Sequence, residues 1–212
     1  MNTYRRSLMA AAGAATLAPL INCMARAARP DRKQTENNQI NEQAKKLVLS
    51  NFTNGYILPG ANWRGFSDQV MGGVSNAKLD SATIAGKNCI QLTGTVTREN
   101  NGGFIQMALY FGANNDEFDG SAYKGLELLV YGNNEDYNLH VRTSDCGWYD
   151  ESYRMTFYAE PLWQKIRIPW ETFEANKVEA PLNSSHLQRI AILGWMREFE
   201  ANVALAEISL YS

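Results

Sequence analysis

The chain has 212 residues, with 20 basic and 22 acidic side chains, 45% hydrophobic residues and three cysteines. That balance excludes a nucleic-acid binder and a polybasic membrane patch, and three cysteines are too few for a disulfide scaffold. Two histidines (His140 and His186), without C-x-x-C or H-x-x-x-H spacing, argue against a zinc site, so neither metal nor cofactor is expected.

Residues 1–27 read as an export signal. Arg5 and Arg6 open it, a weakly apolar, Ala-rich run follows from Leu8 to Ile21, and Ala25-Arg26-Ala27 forms a cleavage site. The run is shorter than the roughly 20 residues a membrane span needs. The adjacent arginines resemble a twin-arginine signal, which exports folded proteins; an ordinary secretory signal is the alternative. "LINC" resembles a lipobox with Cys23 as the acylated residue, although Asn22 fits that motif poorly. The expected location is therefore the periplasm, with membrane attachment only if Cys23 is lipidated. Losing Arg5, Arg6 and Arg26 leaves 17 basic against 22 acidic residues, a net charge of −5. Residues 28–45 are polar, lack aromatics and read as a linker.

From residue 46 to 212 the chain is a succession of short alternating runs. In order these are "LVLSNF", "CIQLTGTVT", "GGFIQMALYF", "GLELLVYG", "YNLHVRTS", "YRMTFYA", "WQKIRIPW", "RIAILGW" and "VALAEISLY". Nine such segments, separated by Gly, Asn, Asp and Pro, predict a single all-β sandwich domain. "WETFEANK" predicts one helical turn after Pro169, and "SSHLQRI" a short turn capped by Ser184 or Ser185. Period two assigns the faces. Tyr137, Leu139 and Val141 share one side of their strand, and Asn138, His140 and Arg142 the other. Tyr153, Met155 and Phe157 oppose Arg154, Thr156 and Tyr158. Ile105, Met107 and Leu109 oppose Phe104, Gln106, Ala108 and Tyr110. Cys89 falls in a strand and Cys146 in a loop; two separately buried thiols are expected in preference to a disulfide.

"WRGFSDQVMGGVS", followed by "ENNGGF", carries the most specific pattern in the chain. Trp63, Asp68, Val70, Met71, Gly72, Gly73 and Ser75, then Asn101, Gly102, Gly103 and Phe104, resemble the signature of the complex I intermediate-associated protein 30 family. "YKGLELLVYGNNEDYNLHVRT", "WQKIRIPWETFE", Gly194 and Ile208 extend the likeness over nearly the whole domain. The resemblance implies a galactose-binding-like jelly roll. It also implies a non-catalytic assembly factor acting on a protein client or membrane complex subunit, since the best-known members are mitochondrial chaperones for respiratory complex I. The bacterial-type export signal departs from those members.

Read as chemistry, the motif is structural. Paired glycines allow positive φ and close backbone approach. Asp68 is placed to accept backbone N–H groups across the turn, with Ser75 in support, and Met71 and Phe66 are expected to plug the end of the sandwich. A role for Asp68 in calcium binding would need more oxygen ligands than its neighbours offer. The candidate ligand face is the polar side of the central strands: Gln106, His140, Arg142, Arg154 and Tyr158, with Trp148 and Tyr149 on the connecting loop. Aromatic and planar polar groups of this kind suit a glycan, as in a carbohydrate-binding module, and equally a peptide; a merely solvated face is the third reading. Asp145, Asp150 and Glu151 leave a glycosidase open as an alternative.

Overall fold

A computed structural model describes residues 46–114 and 116–212. The export signal, the linker and Cys23 lie outside the described residues. Thirteen strands occur among those described: β1 (Lys46–Asn51), β2 (Tyr56–Ile57), β3 (Asn62–Ser67), β4 (Lys78–Ile84), β5 (Lys87–Val96), β6 (Phe104–Tyr110), β7 (Gly125–Tyr131), β8 (Glu135–Thr143), β9 (Ser152–Ala159), β10 (Gln164–Pro169), β11 (Glu174–Asn176), β12 (Leu187–Trp195) and β13 (Phe199–Tyr211).

They form two antiparallel sheets packed face to face. The seven-stranded sheet runs β10-β7-β13. Beyond β13, its C-terminal half pairs with β1, which pairs with β2, and its N-terminal half with β5, which pairs with β4. The six-stranded sheet has the order β11-β9-β8-β12-β6-β3. The core lies between them. Leu49, Leu92, Leu126, Leu128, Val203, Leu205 and Ile208 face inward from one sheet, and Ile105, Met107, Leu109, Tyr137, Leu139, Val141 and Tyr153 from the other. Alternation drives this arrangement, because each strand offers every second side chain to the interior. Tyr137 is fully enclosed, and its hydroxyl donates to Asn133 Oδ1 (2.7 Å) and accepts from the Asn202 N–H (2.8 Å), so its polar tip is satisfied.

The strands absent from the sequence reading are β2, β3, β4 and β11. Two of them are very short, and β3 and β4, "NWRGFS" and "KLDSATI", carry too few apolar residues to alternate. A 3₁₀ turn at Trp170–Thr172 follows Pro169 as expected. A second turn, Ser184–His186, is capped by Asn183 rather than by either serine: its Oδ1 accepts the Ser185 N–H at 3.1 Å. Cys89 and Cys146 are unpaired. Cys89 packs with Ala204 and Ala206 outside the seven-stranded sheet, whereas Cys146 belongs to the core between the sheets. No helix among the described residues is long and apolar enough to cross a membrane.

Candidate functional site

The signature residues meet around one carboxylate. Asp68 is fully buried and starts a 3₁₀ turn, Asp68–Met71, at the end of β3. Its Oδ1 accepts the Ser75 N–H at 2.9 Å. Its Oδ2 accepts the Ser75 hydroxyl at 2.5 Å, the Gly103 N–H at 2.6 Å and the Phe104 N–H at 3.1 Å. Burial alone would raise this carboxyl's pKa; the hydrogen bonds from Ser75, Gly103 and Phe104 outweigh it and hold the group below the usual carboxylate range. Each diglycine divides its labour in the same way. Gly72 (φ 89°) and Gly103 (φ 135°) supply backbone that L-residues rarely adopt. Gly73 and Gly102 supply space, since a Cβ at either would run into the Asp68 carboxyl. Asp68 accepts across its own turn, as expected, and beyond that expectation it ties the "SDQVMGGVS" turn to the "NNGGF" turn.

The expected plug is overturned. Met71 is 54% exposed and Val70 69% exposed, because the tight turn throws both outward. Phe66 lies on the outer face of the six-stranded sheet, edge-on to Phe104 with ring centroids 6.2 Å apart. All three line a cavity of about 480 Å³ on that outer face. Val70, Met71, Asn101 and Gly102 form one rim, Met196 and Tyr149 stand at others, and Asp150, Glu151 and Lys177 close the far side.

Strand register builds the floor. His140 of β8 lies opposite Arg154 of β9 and Ala191 of β12, and Ala191 lies opposite Ala108 of β6. Leu193 lies opposite Gln106, which is opposite Phe66. The small side chains of Ala108 and Ala191 leave a trough between larger neighbours, and Phe104, Tyr110 and Trp195 pack against them.

Gln106, His140, Arg154 and Tyr149 line this cavity as a group. His140 lies on the expected face but is buried there, against the reading of a merely solvated face. It is 5% exposed, with Trp195 edge-on at 5.0 Å, and its Nε2 has no partner among the described residues. Burial first, then the charges of Arg154 and Arg189, push its pKa down to about 3, so it is neutral. Arg154 stacks over Trp195 at 4.8 Å and donates to Ser152 Oγ and the Asp150 carbonyl.

Arg142, Trp148 and Tyr158 fall outside the cavity lining. Arg142 donates to the carbonyls of Cys146, Trp148 and Glu151, so it fastens the loop after β8. Trp148 projects from that loop, 70% exposed. Tyr158 donates to Asn134 Oδ1 at 3.2 Å, farther along β9. The loop carboxylates are each engaged. Asp145 accepts from Thr143, Asp150 pairs with Lys177 at 2.5 Å, and Glu151 accepts the Gly147 and Trp148 N–H groups. Arg189 and Trp195 join the site without having been singled out. The alternation of "RIAILGW" places Arg189, Ala191, Leu193 and Trp195 on one face, and that was the available signal. Among the described residues no group of three or more His, Cys, Asp or Glu side chains is placed to hold a metal ion.

This scaffold is a jelly-roll sandwich of the kind found in carbohydrate-binding modules. The family 11 module of the cellulase Lic26A-Cel5E of Clostridium thermocellum superposes with a TM-score of 0.63 at 13% identity, over 79% of this chain and 94% of that one. A family 11 module from the same organism, in complex with a β-1,3-1,4-mixed-linked tetrasaccharide, gives 0.61 at 10% identity, over 79% and 96%. A family 30 carbohydrate-binding module gives 0.55 at 16% identity, over 81% and 89%. At such identities the likeness is one of fold. No curated protein sequence matches the chain. The family model for complex I intermediate-associated protein 30 (CIA30) matches residues 51–201, most of the chain, and the protein belongs to that family.

Proposed function

We propose that this protein is an exported, non-catalytic binding protein that holds a segment of a protein client during assembly of a membrane complex, with the outer face of its six-stranded sheet as the working surface. One observation carries the reading: the turns bearing the family signature, locked together by Asp68, form a rim of the cavity and present Val70 and Met71 to solvent. Flexible methionines and exposed apolar side chains around a concave floor suit an adaptable polypeptide contact. Membership of a family named for association with complex I intermediates supports a protein client. The test is affinity capture from the periplasmic and membrane fractions of cells expressing the full chain with its own leader. A single reproducible partner is expected, lost in Val70→Asp/Met71→Asp at unchanged melting temperature. A partner retained in full by that variant, or a protein found only in the cytoplasm, would refute the reading.

A second reading is favoured by the floor itself. Trp195, Phe104 and Tyr149 beside the polar Gln106 and His140 suit stacking on a sugar ring, and the fold is shared with carbohydrate-binding modules. Saturable binding of a neutral oligosaccharide, abolished by Trp195→Ala, would replace the client by a glycan.

A further inference from the structure

The cavity floor holds two guanidinium groups that form no salt bridge among the described residues. Arg154 has a serine hydroxyl and a carbonyl as hydrogen-bond partners, and Arg189 a tyrosine hydroxyl, Tyr110 Oη at 3.2 Å. Neither pairs with a carboxylate among the described residues, because the acids at the edge are engaged elsewhere. Asp150 is bonded to Lys177 and acts on Arg154 only as a nearby charge, and Glu151 is held by two backbone N–H groups of its own loop. Arg189 Nε is moreover buried without an acceptor, and Nε2 of His140 is buried without a hydrogen-bond partner of either kind. An unmade hydrogen bond at a buried donor is unfavourable by about 1–3 kcal/mol, more for a charged group, so such atoms signal a missing partner. The three side chains are neighbours: Arg154 is directly opposite His140, and both arginines act on the imidazole from close range. Next to them the floor turns apolar, through Leu193, Phe104 and Trp195.

We propose that this cavity is a subsite for a carboxylate carried on an apolar body, received by Arg154, Arg189 and His140, with the apolar body resting on Leu193, Phe104 and Trp195. The proposal rests on the client reading and gives the segment its chemistry: an acidic side chain beside an apolar one. A volume of about 480 Å³ admits a few side chains and no folded element. Carboxylate oxygens supply the acceptor that Arg189 Nε lacks and a counter-charge for both guanidinium groups, in the planar geometry arginine favours. The neutral imidazole, with Nε2 as the protonated nitrogen, adds a third donor without adding a third charge.

The test uses the full protein and three probes in calorimetric titration: acetyl-Leu-Asp-Phe-amide, its Asn counterpart, and digalacturonate. The acidic peptide should bind about tenfold more tightly than the Asn peptide at low salt, as charge-assisted hydrogen bonds predict. Arg189→Gln and Arg154→Gln should each abolish most of that preference, while Arg189→Lys, which keeps the charge, should retain part of it. Thermal melts of each variant separate a lost site from a lost fold, and Arg167→Gln on the other sheet should leave the preference intact. Equal binding of the two peptides, no saturable binding of either up to about 10 mM, or a preference surviving both Gln variants would overturn the proposal. So would binding of digalacturonate alone, which would hand the cavity to an acidic glycan. If the peptide preference holds and client capture fails, the client reading falls and the subsite stands.

Discussion

The two outer faces of the sandwich treat charge in opposite ways. On the seven-stranded sheet Glu127, 3% exposed, is met by Lys46 at 2.8 Å, Arg167 at 2.7 Å and Lys165 at 3.3 Å. Burial would raise this carboxyl's pKa, but Lys46 and Arg167 overcome that and hold it down to about 2. Beside it Tyr131 and Trp163 pack over Cys89, Ala204 and Ala206, and the Trp163 indole donates to the Ile84 carbonyl at 2.9 Å. The charges and polar tips of these side chains are thus paired within the sheet's own residues. The six-stranded sheet instead keeps two guanidinium groups that form no salt bridge among the described residues around a neutral imidazole, under a rim of exposed apolar side chains. A satisfied face contributes stability, whereas a face with unmade bonds holds interactions in reserve for something else.

Three substitutions sharpen this contrast. The largest effect belongs to Asp68→Asn, which turns two N–H donors toward the N–H groups the carboxylate now receives. It should cost about 3 kcal/mol in denaturant unfolding, roughly 6–12 °C in melting temperature, and should loosen both signature turns and the cavity rim together. Glu127→Gln should cost about 2 kcal/mol, since three cations would be left around a neutral amide, with no effect on cavity binding. The wild-type pH dependence follows the same carboxylates. The folded pKa of Glu127 lies below its ordinary 4.5, so its stabilisation is complete above that value and is lost as pH falls towards 2. Asp68 shifts in the same direction and adds to the loss. The slope of unfolding free energy between pH 4.5 and 2 should therefore be shallower in Glu127→Gln.

The smallest effect on stability should come from Arg189→Gln. Losing the unmade bond at Nε of this half-buried side chain is offset by losing its contacts to Tyr110, so unfolding should change by less than about 0.5 kcal/mol, in either direction. The same change should let His140 titrate at higher pH, by removing one of the two charges that depress it. An NMR titration of the ring resonances reads this directly. An Arg189→Gln variant as badly destabilised as Glu127→Gln would mean that Arg189 belongs to the scaffold, and the contrast between the faces would fail.

Much of the scaffold was legible because alternation is a local signal. Tyr137, Leu139 and Val141 could be assigned to the core from nine residues of sequence, and all three are fully buried. Asp68 was legible for a related reason: a carboxylate beside paired glycines is a turn device, and its donors lie within the two motifs. The site was legible only as a face. His140 is buried by Trp195, which sits on a strand more than fifty residues away. Arg142 left the candidate set because its partners are carbonyl oxygens, which carry no sequence signature. Met71 could have turned inward or outward from its turn, and only the backbone at Gly72 decides that.

Site-specific photo-crosslinking in cells is the most direct test of which face works. A benzophenone side chain placed at Tyr149 or Met196, on the cavity rim, should yield one discrete adduct with a client; placed at Lys165, on the opposite sheet, it should yield none. A client adduct formed from Lys165 and absent from both rim positions would contradict the assignment of the working surface.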